Sequence, residues 1–301
     1  MDEITNSIGM RLKKVPAGIF TMGSDNPDDE NPRYEARILQ DFYCGVCPVT
    51  QAQAQIVFEL EPGYFEHPNR PLTYVNWHQA GEFCSRLSER EGRRYRLLKE
   101  IEWEYVCRAG TSTKFFWGED ESDAGLYAWY KENSEGRSHD VGEKRPNAWG
   151  FHDIVGNVEC WCEDEYRDVS YCRDEYRIIR GGSFQSFPKA LRCAFRSFWS
   201  KDRGDELLGL RVAADVSEVR AAGDDWFDNQ VSALRRLAEK LRAWRNEDGP
   251  DALDALRTEA RHIGEKMNER GGMKLMLRAH SVSKGGREIE IAWNGVGDWR
   301  G

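Results

Sequence analysis

The stretch from residue 111 to residue 180 limits the folds open to this chain more than any other feature. Along it, apolar residues follow neither the period of a helix nor the alternation of a strand for any length. A compact domain seldom contains so long a segment without regular structure, unless the segment carries function or the fold itself is irregular. The pattern predicts an α+β fold with little regular secondary structure.

Short regular elements are predicted on the N-terminal side of that stretch. Residues 15–23 and 38–46 alternate between apolar and polar side chains, which is typical of half-buried strands. Residues 76–92 carry apolar side chains at helical spacing and end at Gly92, a residue type that commonly ends helices. A second short helix is predicted over 101–110. The side chains predicted to face inward are Trp77, Ala80, Phe83, Cys84 and Leu87 in the first helix, and Trp103, Val106 and Cys107 in the second.

The pattern changes near residue 216, which predicts two domains, 1–216 and 217–301. The first is rich in Gly, Pro, Trp and Tyr, whereas the second carries two amphipathic helical patterns and an alternating, strand-like run at 287–293. The second part is therefore predicted to be an α-rich extension with a hairpin. It could pack as a structural extension, dock a partner or pair with a second subunit. The helical patterns are marked by Phe227, Val231, Leu234, Leu237, Leu241 and Trp244, and by Leu253, Leu256, Ile263 and Met267.

The charge balance argues against two classes of partner. The formal net charge is −9, and general binding to nucleic acid or to an anionic membrane requires a basic surface. No segment approaches the ~20 consecutive apolar residues that a membrane span needs. The N-terminus also lacks the apolar region of a secretory signal. We therefore expect a cytoplasmic protein that binds neither nucleic acid nor membrane.

The eight cysteines are expected to be reduced thiols that pack as small apolar side chains, as is usual in cytosolic proteins. Zinc is the alternative, because Cys44 and Cys47 form a CxxC and Cys160 and Cys162 a CxC. No second CxxC follows at the spacing of a structural zinc site, however.

Several phrases of the first domain together carry a family resemblance. In chain order they are NSIGMRLKKVPAGIFTMGS, FYCGVCPVTQAQ, PLTYVNWHQAGEFCSRLS, YRLLKEIEWEYVCRAGT, GFHDIVGNVECWCED and IIRGGSF, followed by LRCAFRS and LGLRVA. Their order and spacing resemble the formylglycine-generating enzyme family, also called the sulfatase-modifying-factor family. The resemblance covers roughly residues 5 to 215. It implies an irregular C-type-lectin-like fold, in agreement with the loop-rich pattern.

The resemblance implies a copper site that this chain lacks. In the enzymes of the family, two cysteines shortly after the GGS phrase hold Cu(I), and a substrate cysteine is oxidised to formylglycine. Here Ser186 occupies the position of the first cysteine, and no cysteine appears before Cys193. Cys193 matches a non-catalytic cysteine of the family. Because Cu(I) prefers soft thiolate ligands, we expect neither copper nor this oxidation.

A calcium site of the family is altered as well. The resemblance implies oxygen ligands from Asp153, Gly156 and Val158, but Cys160 replaces the family's glutamate. Calcium takes six to eight oxygen ligands, so the loss of a carboxylate predicts a weakened calcium site.

Charged residues of the scaffold are expected to be structural. Glu100, Glu102 and Glu104 lie at alternate positions of a predicted helix, so they point to different sides of it. The arginines are expected to pair with internal carboxylates and so hold the long loops in place. They are Arg96, Arg108, Arg180, Arg192, Arg196 and Arg211.

Residues 184–206, between the scaffold phrases, are predicted to form a binding face for a protein or peptide. Aromatic and basic side chains on a rigid support are typical of interaction hot spots. The domain also resembles the variable proteins of diversity-generating retroelements, which diversify residues between these same phrases. The predicted ligand-binding residues are Phe184, Gln185, Ser186, Phe187, Lys189, Phe195, Phe198, Trp199, Lys201 and Arg203.

Other interpretations remain open at this point. Phe184, Phe195 and Trp199 could instead belong to the core of an irregular fold. The chain could be a divergent oxidase that uses thiols such as Cys160, Cys162 or Cys193, although the missing copper cysteines favour a non-catalytic protein. It could also be an assembly component that oligomerises through residues 217–301.

Overall fold

The computed structural model describes residues 2–25, 32–61, 63–166 and 175–216, together with short segments of the C-terminal part. The chain divides into two compact units, Met1–Ser217 and Glu218–Gly301. In the second unit the described residues are helical, and the strand predicted over 287–293 lies outside them. The described segments of this unit are 233–234, 236–237, 240, 255–263 and 265–266, and their buried side chains are Leu234, Leu237, Ala260 and Ile263.

Short strands form two sheets and a hairpin in the described part of the first unit. The strands are β1 Glu3–Thr5, β2 Arg11–Val15, β3 Gly18–Met22, β4 Tyr34–Ile38, β5 Phe42–Gly45, β6 Tyr95–Leu97, β7 Glu159–Glu165, β8 Tyr176–Arg180, β9 Arg196–Ser200, β10 Leu208–Gly209 and β11 Val212–Asp215. The first sheet is antiparallel with the order β1-β2-β5-β11-β6, and the second has the order β10-β7-β8-β9, while β3 and β4 pair as a hairpin. The α+β class predicted from the sequence is confirmed.

Two of the four described α-helices begin at a side-chain cap. The helices are α1 Gln51–Val57, α2 Trp77–Glu91, α3 Glu100–Arg108 and the single turn α4 Ala124–Tyr127. Thr50 caps α1 and Asn76 caps α2. At the start of α2, Asn76 and Gln79 exchange side-chain and backbone hydrogen bonds of 2.9 and 3.0 Å. Gly92, at φ 63°, ends this helix, so the predicted helix and its stop are confirmed. None of the described helices has the length and apolar character that crossing a membrane would require.

The irregular stretch is confirmed over most of its length, with one correction. Between α4 and β7 the described chain is held by side chains that bond to backbone, such as Asn147 Nδ2 to Val106 O at 2.7 Å. The expectation that regular structure is absent up to residue 180 is wrong, because the single turn α4 and the strands β7 and β8 lie within this stretch. The centre of β7, Cys160 to Cys162, is buried on both faces, so its sequence shows no alternation.

Ion pairs join helix α3 to distant parts of the fold. Glu104, almost fully buried, accepts hydrogen bonds from the backbone N–H of Gly23 at 2.8 Å and from the guanidinium groups of Arg108 and Arg180. Glu100 pairs through both oxygens with Arg196, at 2.8 and 2.7 Å.

The third glutamate of the helix, Glu102, takes two hydrogen bonds from Arg96, at 2.6 and 2.7 Å. Pairing of the scaffold arginines with internal carboxylates is therefore confirmed for Arg96, Arg108, Arg180 and Arg196. Arg211 differs, because it donates to the carbonyl oxygens of Gly45, His152 and Asp153 at 2.7, 2.6 and 2.9 Å.

We expect the substitution Glu104→Gln to lower the free energy of unfolding by about 3–5 kcal/mol, because it leaves buried guanidinium groups without their anion. Equilibrium unfolding in urea measures this change. Glu82→Gln is the matched control, since Glu82 pairs with Arg86 on the exposed side of α2 and should cost less than about 1 kcal/mol. Equal effects of the two substitutions would contradict a central role for the buried network.

Candidate functional site

Arg180 and the two glycines after it fix both ends of the first loop in the segment predicted to bind. The Arg180 guanidinium donates hydrogen bonds to the carbonyl oxygens of Cys193 at 3.0 Å and Ala194 at 2.8 Å. Gly181 and Gly182 have φ of 99° and 66°, in the left-handed region that favours glycine. The loop that follows Gly182 therefore starts and returns at fixed points.

Within this loop the side chains divide between interior and surface. Phe184 is only 3% exposed, and its carbonyl accepts a hydrogen bond of 2.7 Å from Ser134 Oγ. The prediction that Phe184 contacts a ligand is therefore corrected, because its side chain packs inward and anchors the loop. Gln185, Phe187 and Lys189 lie on the surface, and Phe187 is 53% exposed.

Ser186, at the position of the family's first copper cysteine, is partly buried. Its hydroxyl oxygen accepts a hydrogen bond of 2.9 Å from the backbone N–H of Ser183. Ser186 thus closes the turn, which is a structural use of the side chain.

Residues 201–206 form a second surface loop, held against the entry to helix α2. Trp77 N donates to Lys201 O at 3.1 Å, and Tyr74 N donates to Asp205 O at 2.9 Å. Gly204 is required here, because a Cβ atom at this position would lie 2.5 Å from Tyr74 O. The loop is therefore fixed through its backbone.

A carboxylate joins the two loops. Glu206 accepts hydrogen bonds from Gln185 Nε2 at 2.9 Å and from the Tyr74 hydroxyl at 3.3 Å. Tyr74 is 68% exposed and adopts a φ of 59°, which few non-glycine residues do. The two loops and Tyr74 thus share one surface.

Two further residues of this surface, Tyr74 and Lys131, were not predicted from the sequence. The ammonium of Lys131 lies 4.1 Å from the centre of the Phe187 ring, and its backbone N–H donates to Ser186 O at 3.1 Å. Both residues are distant in sequence from 184–206, and no local pattern marks them. We name as the candidate face the surface formed by Tyr74, Lys131, Gln185, Phe187, Lys189, Trp199, Lys201, Arg203 and Glu206.

The aromatic residues around strand β9 play different roles. Phe195 is partly buried, and Phe198, also partly buried, stacks on Tyr166 with ring centres 4.2 Å apart. Trp199 is 40% exposed, and it is paired in register with Arg177. Of these three residues, only Trp199 is placed for contact with a partner.

A carboxyl group lies close to the second loop. Glu159, at the start of β7, is partly buried and donates its backbone N–H to Leu207 O at 2.7 Å. Burial raises the pKa of Glu159 to about 7, and the negative charge of Asp205 adds to this effect.

The predicted calcium ligands do not fit that ion. The Asp153 carboxylate accepts a hydrogen bond of 2.6 Å from Gly142 N. The backbone carbonyl oxygen of Asp153 accepts another from the Arg211 guanidinium. A cation bound here would be repelled by that guanidinium, and Asp153 would be the one predicted ligand with a negative charge to offset it. Cys160, at the position of the family's glutamate, has no oxygen in its side chain. Over the described chain, no three His, Cys, Asp or Glu side chains cluster in a way that could hold a metal ion.

The thiols suggested for an oxidase are in the interior. Cys162 and Cys193 are fully buried, and Cys160 is 7% exposed. Burial raises the pKa of Cys160 to about 11 and raises that of Cys162 as well. Because the thiolate is the form that reacts and binds soft metals, the raised pKa disfavours both roles for Cys160 and Cys162.

Comparisons with known proteins agree with this architecture. The first curated relatives include the chaperone protein LppX of Paenibacillus barcinonensis, 25% identical over 67% of this chain and 88% of the relative. The formylglycine-generating enzyme of Mus musculus is 24% identical over 68% of this chain and 75% of the enzyme.

Two solved structures have the same fold at 25% identity. PvdO from Pseudomonas aeruginosa has a TM-score of 0.65 over 71% of this chain and 98% of its own. Treponema denticola variable protein 1 has a TM-score of 0.65 over 71% of this chain and 99% of its own.

A family model described as the sulfatase-modifying factor enzyme 1-like domain matches residues 10–216. This match covers every strand except β1, the four helices and the candidate face. The fold is accordingly the irregular, C-type-lectin-like fold that the sequence resemblance implied. The chain belongs to the sulfatase-modifying factor family, to which the formylglycine-generating enzymes also belong.

Proposed function

We propose that this chain is a non-catalytic binding module that recognises a protein or peptide through the candidate face. The observation that carries the proposal is the fixed junction of the two surface loops. Glu206 ties Gln185 to Tyr74, while Phe187 in the first loop and Trp199 at the end of β9 stay exposed.

The composition of the face supports recognition of a macromolecule. Exposed tyrosine and tryptophan, with arginine, are the residue types that most often dominate binding energy in protein interfaces. Loops already fixed by their backbone lose little conformational freedom on binding, which favours affinity.

The separation of scaffold from surface also supports a face whose residues can vary. Arg180 and Phe184 are buried and hold the first loop, whereas Phe187 and Lys189 project from that loop and Arg203 projects from the second. Substitution of the second group should therefore change what is bound and leave the fold intact. The similarity to a variable protein is consistent with this use of the scaffold.

We expect the double substitution Phe187→Ala/Trp199→Ala to weaken peptide binding by at least about tenfold, since it removes two exposed aromatic anchors. The probes are peptides selected on the wild-type full chain from a random twelve-residue display library, and fluorescence anisotropy gives their Kd. The double variant should unfold within about 1 kcal/mol of the wild type.

The matched control is Tyr64→Ala/Leu126→Ala, which removes exposed apolar side chains outside the candidate face. It should bind the selected peptides as the wild type does. Failure to select any peptide that distinguishes the two double variants would refute the proposed face.

The second loop should also respond to pH through Glu159. Its carboxyl has a pKa of about 7 in the folded protein against 4.5 for the free group, so the folded state holds a proton that the unfolded state releases between these values. Stability is therefore fully present below about pH 4.5 and falls as the pH rises through 7.

We expect Glu159→Gln to be more stable than the wild type by roughly 1–3 kcal/mol at about pH 8, with a much smaller difference at about pH 5. Urea unfolding at both pH values measures this. A stability difference that does not change with pH would show that the Glu159 carboxyl is not held in its neutral form.

A further inference from the structure

The candidate face carries four cationic side chains that have no anionic partner among the described residues. They are Lys131, Lys189, Lys201 and Arg203. Lys131 rests against the Phe187 ring, 4.1 Å from its centre. By contrast, Arg96, Arg108, Arg180 and Arg196 of the scaffold are paired with carboxylates, as Arg196 is with Glu100 at 2.7 Å.

The acidic side chains of the same surface already have partners within the protein. Glu206 accepts from Gln185 and Tyr74, and Asp202 lies 3.2 Å from His78 Nε2. Asp205 accepts a hydrogen bond of 2.9 Å from the backbone N–H of Leu207, and beside Lys131 the Glu132 carboxylate accepts from the Tyr130 hydroxyl at 3.1 Å.

This asymmetry decides which charge a partner should carry. A partner's carboxylate can pair with a lysine or arginine of the face, which loses only bound water. A partner's cation would have to replace the hydrogen bonds that the carboxylates of the face already accept from the protein. Charge pairs of this kind contribute mainly to specificity and to the rate of association. Because charges beyond about 8 Å are screened at physiological ionic strength, the groups of the face itself, and not the net charge of the whole chain, decide which partner charge is accepted.

We infer that the partner of the candidate face is an acidic protein segment that presents carboxylates beside an apolar or aromatic side chain. This inference rests on the proposed binding function and adds the chemical class of the partner. Nucleic acid fits less well, because a continuous line of phosphates would meet Asp202, Asp205 and Glu206 between the cations, and the chain is negative overall at −9.

The test uses the peptides selected on the wild-type full chain at low salt. We expect the selected sequences to be enriched in Asp and Glu next to aromatic or apolar residues. Replacing their carboxylates by amides (Glu→Gln, Asp→Asn) should raise the Kd at least about tenfold, and the Kd of the acidic peptides should rise with salt concentration. A fluorescent oligodeoxythymidylate of fifteen nucleotides should bind more weakly than these peptides.

The second part of the test reverses charges in the protein. Lys131→Glu/Lys189→Glu/Arg203→Glu should weaken binding of the acidic peptides at least about tenfold. The control Arg37→Glu/Arg90→Glu/Arg145→Glu changes the net charge equally at exposed sites elsewhere and should change the Kd little. Thermal unfolding verifies that both triple variants are folded. If the triple glutamate variant of the face does not fold, glutamine at the same three positions replaces it in the test.

The outcomes separate the two proposals. The acidic partner would be overturned, and the binding face retained, by either of two results. One is that peptides whose binding needs Phe187 and Trp199 are neutral or basic. The other is that the Kd of these peptides does not change on charge reversal. Equal or tighter binding of the oligonucleotide would also overturn the acidic protein segment. If the Kd of the selected peptides changes with neither the aromatic nor the charge-reversal variants, the binding face and the acidic partner are both overturned.

Discussion

The ion pair between Glu104 and Arg180 is the interaction on which the rest of the structure depends. Glu104 draws together the β3 end, helix α3 and strand β8, through Gly23, Arg108 and Arg180. The same Arg180 reaches the carbonyl oxygens that end the first surface loop. In a domain with so few long helices or strands, buried charged groups that satisfy each other take over the role of backbone ladders. A single side chain thus connects the core to the proposed binding surface.

The fold separates the residues that support the backbone from those that project from it, which supports the proposal of a binding role for a member of this family. Glycines, buried arginines and Phe184 set the path of the backbone, and the residues that project from it are free to differ. Ser186 illustrates the change, because its hydroxyl closes a turn where the family resemblance implies a thiolate that binds copper. Function in such a fold is decided by its site and not by the scaffold.

Local signals predicted helix α2 and its stop at Gly92, and the composition predicted the pairing of scaffold arginines with carboxylates. The family resemblance supplied the irregular fold. The sequence did not reveal strand β7, since burial of both its faces removes the alternation that marks a strand. It also left Phe184 open between a ligand contact and the core, because a loop without periodicity does not indicate which side chains turn inward. Tyr74 and Lys131 join the face through tertiary contacts alone, which no local pattern encodes.

The most direct test of the central claim is amide hydrogen–deuterium exchange of the full chain with and without a peptide selected on it. If a fixed face binds the peptide, added protection should appear at residues 183–191 and 199–207 and around Tyr74 and Lys131. The same loops should already exchange slowly in the free protein, because hydrogen bonds hold their backbone. Protection confined to residues 217–301, with both loops unchanged, would contradict the account.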